Sequence, residues 1–164
     1  MPRTAILSLL ALTLGMLALI GCAGTLAVPE QRPPDYALVV TVFPVEGSAA
    51  PFRPARYALE PDGLLRAEVG GGVTQPAYPP IARRLEPAQI DTLYSHTKSL
   101  DLDQEDTPAV PVPGPQVYEP PAGEPVALVE IASLGIARAF EIDTADPAAI
   151  TLIRELERLT WQDR

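Results

Sequence analysis

The 164-residue chain carries 12 basic and 21 acidic side chains, a formal charge of −9, and a surface that negative repels nucleic acid and anionic headgroups, which excludes a nucleic-acid role. A single cysteine and a single histidine leave no disulfide, no cysteine metal set and one imidazole at most for proton transfer.

Arg3 supplies one positive charge ahead of Ala5 to Ile20, a run of 16 uncharged residues that ends at Gly21-Cys22. A basic start, a short apolar middle and a small residue before the cut make a secretory signal, and the run is shorter than the roughly 20 residues that span a bilayer. The tetrapeptide Leu19-Ile20-Gly21-Cys22 resembles the lipobox of bacterial lipoproteins. The resemblance covers residues 1–22 and implies cleavage before Cys22, a diacylglyceryl thioether on Cys22, and acylation of the new amino terminus with a fatty acid such as palmitate. It also implies a lipid-anchored cell-envelope protein. Ala23 and Gly24 follow with no Asp at the next position, which in a Gram-negative host favours the outer membrane, facing the periplasm.

The expected organisation is a signal peptide at 1–21, a lipidated amino terminus and tether at 22–34, and one domain at 35–164 with a proline-rich loop at 107–125. Removing residues 1–21 leaves 143 residues, with 11 basic against 21 acidic and a formal −10. That is a single-domain length, able to bury about two-thirds of its unfolded surface.

Ala23 to Pro34 has three prolines and no hydrophobic period, and a tether of twelve residues reaches at most about 40 Å. Tyr36 to Phe43 is β-branched, aromatic and nearly all apolar, as a central strand covered on both faces should be. After a loop from Val45 to Pro54, Arg56–Glu60 and Leu64–Val69 form a hairpin around Pro61-Asp62-Gly63, where Pro presets φ and Gly tolerates a positive one. Leu65, Ala67 and Val69 share one face of its second arm.

A loop from Gly70 to Pro80 leads to Glu86-Pro87-Ala88-Gln89, a helix start with a weak capping box; Ile90, Leu93, Tyr94, Thr97 and Leu100 form its apolar stripe. Asp101–Asp106 is acidic, and Pro108–Pro125 holds seven prolines in 18 residues, a surface loop that excludes helix and inner strand. Val126–Ala132 and Ile136–Ile142 form a second hairpin around Ser133-Leu134-Gly135. Asp146 caps a last helix with Pro147 in its first position and Ala149, Leu152, Ile153, Leu156 and Leu159 facing the core; Arg154, Glu155 and Arg158 face water.

The reading is an α+β fold, an antiparallel sheet of about five strands with two helices on one face, in the order β-ββ-α-ββ-α. Glu86-Pro87-Ala88-Gln89-Ile90 and Asp146-Pro147-Ala148-Ala149-Ile150 echo each other. They suggest a ββα duplication, against the alternative that such helix starts recur for local reasons.

No constellation carries catalysis. His96 has no G-x-S-x-G turn or thiol to work with. Asp101, Asp103 and Glu105 start like a calcium loop, but Asp106 and Val112 stand where an EF-hand needs Gly and Glu. Gly70-Gly71-Gly72 lacks the Lys and Ser/Thr of a phosphate loop. The interaction candidates are Tyr78 with Arg83 and Arg84, whose guanidiniums have the chemistry to clamp a carboxylate, against the more common case in which Tyr78 packs on the sheet and Arg83 or Arg84 pairs with a surface acid, and Pro111, Pro113 and Pro115, an extended segment of the kind that aromatic grooves recognise, against a long insertion with no role. The expectation is an envelope lipoprotein that binds or contacts another envelope component, with no catalytic residue, metal or cofactor. The alternatives are a small-ligand or calcium-binding lipoprotein, or a carboxylate-dependent hydrolase built on Asp101 with Asp103 or Glu105.

Overall fold

The computed structural model describes residues 29–44, 52–76, 78–102, 109–110 and 117–161. Its elements are β1 (Ala37–Val42), β2 (Ala55–Leu59), β3 (Leu64–Val69), β4 (Ile81–Arg84), α1 (Pro87–Lys98), β5 (Ala109–Val110), β6 (Val126–Ser133), β7 (Ile136–Asp143) and α2 (Pro147–Trp161). The strands make one antiparallel sheet in the order β4-β3-β2-β1-β6-β7-β5. The most apolar strand, β1, is therefore the middle one, with the β2–β3 hairpin on one side and the β6–β7 hairpin on the other.

Strand alternation sorts the side chains. Val40 lies between Tyr57 and Val129, and Leu38 between Leu59 and Ile131; these face the helices. Ile90 and Leu93 of α1 and Leu152, Ile153, Leu156 and Leu159 of α2 join the same buried cluster. The α+β class and both helices on one face are as the periodicities predict. The helix starts also hold: Gln89 Oε1 accepts the Glu86 N–H at 2.9 Å, and Asp146 Oδ1 accepts the N–H groups of Ala148 and Ala149 at 2.6 and 3.2 Å.

Two strands exceed the expected count. Ile81–Arg84 pairs with β3 through a register shift between Leu65 and Arg66, so its short IARR pattern does not alternate as a regular strand would. Ala109–Val110 pairs with β7 at the sheet edge, where a proline-rich segment is tolerated because nothing further needs its N–H groups. The two halves differ by one strand, since β4 lies between the first hairpin and its helix whereas β7 runs directly into α2.

The expected tether joins the fold from Pro29. The Tyr94 hydroxyl donates to the Pro29 carbonyl, Arg32 Nε pairs with Asp91 at 2.7 Å, and Lys98 Nζ donates to the Glu30 carbonyl at 3.5 Å. Tyr36 bonds Thr97 Oγ1 at 2.8 Å and meets Tyr94 edge-on at 4.9 Å. Residues 29–36 thus form a collar on α1, held by individual contacts that no periodicity announces.

The opposite face of the sheet is covered as well. Thr41, Ala58, Leu128 and Ala139 are buried there, and Tyr118 packs on Phe43 with ring centroids 5.5 Å apart and donates to Glu141. On this face Arg56 Nη1 donates to Thr41 Oγ1 at 2.5 Å and lies 3.5 Å from Glu130. Burial is the leading cause of both shifts, lowering the Arg56 pKa and raising that of Glu130 against the effect of pairing. Burial thus works against the charged forms that this pair brings together, which makes it weak evidence for added stability.

Candidate functional site

Tyr78, Arg83 and Arg84 do not form one cluster. Adjacent residues of a strand point to opposite faces, and β4 sends Arg83 to the helix side, where it donates to the Leu159 carbonyl at 3.4 Å. Arg84 turns to the β2–β3 turn and donates to the carbonyl of Asp62 at 2.5 Å and to its Oδ2 at 3.0 Å. Tyr78, 69% exposed, donates to Glu60 Oε1 at 2.6 Å, and the Arg66 Nε donates to the same oxygen at 2.5 Å, with the Arg66 guanidinium 4.3 Å from the Tyr78 ring. The two arginines cannot clamp one carboxylate, and their neighbours are already matched.

These exposed acids set the acid stability. The Arg66 hydrogen bond, with that of Tyr78, holds Glu60 below its ordinary pKa; the Leu64 N–H, with Arg84, does the same for Asp62; and the N–H groups of Leu134 and Gly135 do so for Asp35. A depressed folded pKa contributes stability above the unfolded value and loses it as pH falls through the folded one. The unfolding midpoint in urea is therefore expected to fall below about pH 4, and Asp35→Asn is expected to flatten that fall. An equal pH slope in the two proteins would contradict it.

His96 is half-buried in the last turn of α1, and no nucleophile bonds it among the described residues. Asp101 is described, with φ of 52°; Asp103 and Glu105 lie outside the described residues, as do Cys22, Pro111, Pro113 and Pro115. Among the described residues no three His, Cys, Asp or Glu side chains are grouped to hold a metal ion, and no helix is long and apolar enough to cross a membrane.

Two grooves remain. One, of about 630 Å³, lies between the collar and α1 and is lined by Glu30, Arg32, Asp91, Tyr94 and Lys98, whose polar groups are the ones that fasten the collar. The other, of about 510 Å³, is lined by Arg53, Val69, Arg154, Glu157, Arg158 and Trp161. Arg53 precedes β2, Val69 ends β3 opposite Ala55, and the rest come from one face of α2, since Arg154, Arg158 and Trp161 recur at helical spacing.

In this second groove Glu155 grips Arg158 through both oxygens, at 2.7 Å to Nε and 2.5 Å to Nη2. Arg53 and Arg154 have no hydrogen bond or ion pair among the described residues, and Trp161 is 71% exposed. Tyr57, on the helix side of β2, has a buried hydroxyl with no partner among the described residues; burial, and then the charge of Glu157, raise its pKa. Comparisons with family models, with curated proteins and with solved structures find no match. The groove was missed in the sequence because Arg53 lies about a hundred residues from α2, and the arginines of α2 read as an ordinary wet face.

Proposed function

We propose that this chain is a non-catalytic binding module held in the cell envelope by lipid on Cys22, with the Arg53–Arg154–Trp161 groove as its binding surface. The observation that carries the reading is the imbalance between this groove and the rest of the polar surface. Among the described residues Glu60, Asp62, Tyr78, Arg66 and Arg84 are matched with one another, whereas in this groove the guanidiniums of Arg53 and Arg154 have no described partner, and the Trp161 indole is exposed beside Glu157. Guanidiniums stay protonated at any physiological pH and recognise anionic groups rather than transfer protons. The lipobox pattern at Leu19–Cys22 supports the address.

The test places a photo-reactive phenylalanine at Trp161 and irradiates intact envelopes. One dominant adduct is expected, lost when Arg53→Glu and Arg154→Glu are combined. No adduct, or one indifferent to the charge reversal, would remove the groove as the binding surface.

A further inference from the structure

We infer that the groove takes a small aromatic carboxylate, its anionic group on Arg53 and Arg154 and its flat body on the Trp161 indole; the inference rests on the groove being the binding surface. The charge balance sets the anion. Arg158 is neutralised by Glu155, so among the described residues the charges left lining the groove are the guanidiniums of Arg53 and Arg154 against the carboxylate of Glu157. One positive charge is left over, and a single carboxylate cancels it while accepting paired N–H donors from a guanidinium fork.

The indole sets the body. A tryptophan ring left 71% exposed beside Val69 offers a flat apolar platform, and aromatic rings stack on such platforms in offset or edge-on contact. Size and long-range field then favour a small molecule over an acidic protein. A groove of about 510 Å³ falls in the range of small-ligand sites, roughly 300–1,000 Å³, while a stable protein partner covers about 800 Å² of each surface. The chain's formal −9 repels an acidic macromolecule over its whole approach. A small anion instead feels the charges within a Debye length, about 8–10 Å at ordinary salt, where the arginines dominate.

Trp161 is the sole tryptophan of the chain, so its fluorescence reports this groove alone. The mature lipidated protein in maltoside micelles is titrated with 2-naphthoate, 2-naphthamide and acetate. Saturable quenching by 2-naphthoate is expected, with binding about tenfold weaker for the uncharged amide and for each of Arg53→Gln and Arg154→Gln, the equivalent of losing one charged contact, and none for acetate. Equal binding of naphthoate and naphthamide, unchanged affinity in both arginine variants, or no saturation at millimolar naphthoate overturns the inference. A charge-sensitive protein adduct at position 161 also overturns it but leaves the groove as a binding surface, so the two readings fail separately.

Discussion

Leu152→Ala is expected to lower the unfolding free energy by about 2–5 kcal/mol, a large share of the roughly 5–15 kcal/mol available to a domain of this kind. Leu152 is fully buried in the cluster that joins α2 to the sheet. The two helices form one layer on the sheet, so a cavity at Leu152 opens between α2 and the strands it covers and cannot be filled without shifting the helix. Thr151→Ala, one residue earlier on the exposed side of the same helix, is expected to change stability by no more than about 0.5 kcal/mol. Chemical denaturation of the two variants checks the contrast; a Leu152→Ala cost under about 1 kcal/mol would mean that α2 does not seal this core.

Much of the fold was legible because its signals are local. The unbroken apolar run of β1 marked the central strand, the turns at Pro61-Asp62-Gly63 and Ser133-Leu134-Gly135 marked the hairpins, and the Pro-start caps marked both helices. The parts not legible depend on what lies opposite. β4 is four residues with a register shift against β3, and β5 is two residues whose strand character comes entirely from β7. The collar at 29–36 is fixed by an ion pair and tyrosine hydroxyls on α1, which leave no pattern in the collar itself.

The candidate site divides in the same way. Arg83 and Arg84 are neighbours in sequence, so a shared clamp stood against pairing of one of them with a surface acid; alternation along β4 places them on opposite faces, and Arg84 pairs with Asp62 as that alternative has it. Arg53, Arg154 and Trp161 are distant in sequence, and the fold brings them to one groove. The spacing of Arg154, Arg158 and Trp161 on α2 was a usable signal, but only the position of Arg53 beside it turns a wet helix face into a site.

Cys22→Ser is expected to abolish acylation. Each buried methylene contributes about 0.8 kcal/mol, so one acyl chain holds only marginally while two or three hold stably; a thioether-linked diacylglycerol supplies two on this one sulfur. The collar sharpens what the anchor does. Pro29 is held on α1 by Tyr94, and the six residues 23–28 between it and Cys22 reach at most about 20 Å whatever their path. That is half the reach expected of a tether running to Pro34, and lipid on Cys22, as proposed, would hold Pro29 within that distance of the bilayer surface.

The most direct measurement is metabolic labelling with an alkyne fatty acid, followed by mass analysis of the amino-terminal peptide, for the wild-type chain and Cys22→Ser. Labelled wild-type protein beginning at Cys22 is expected, and an unlabelled Cys22→Ser chain that retains residues 1–21. Label that persists in Cys22→Ser, or a wild-type chain that keeps its first 21 residues without label, would contradict lipid anchoring at Cys22.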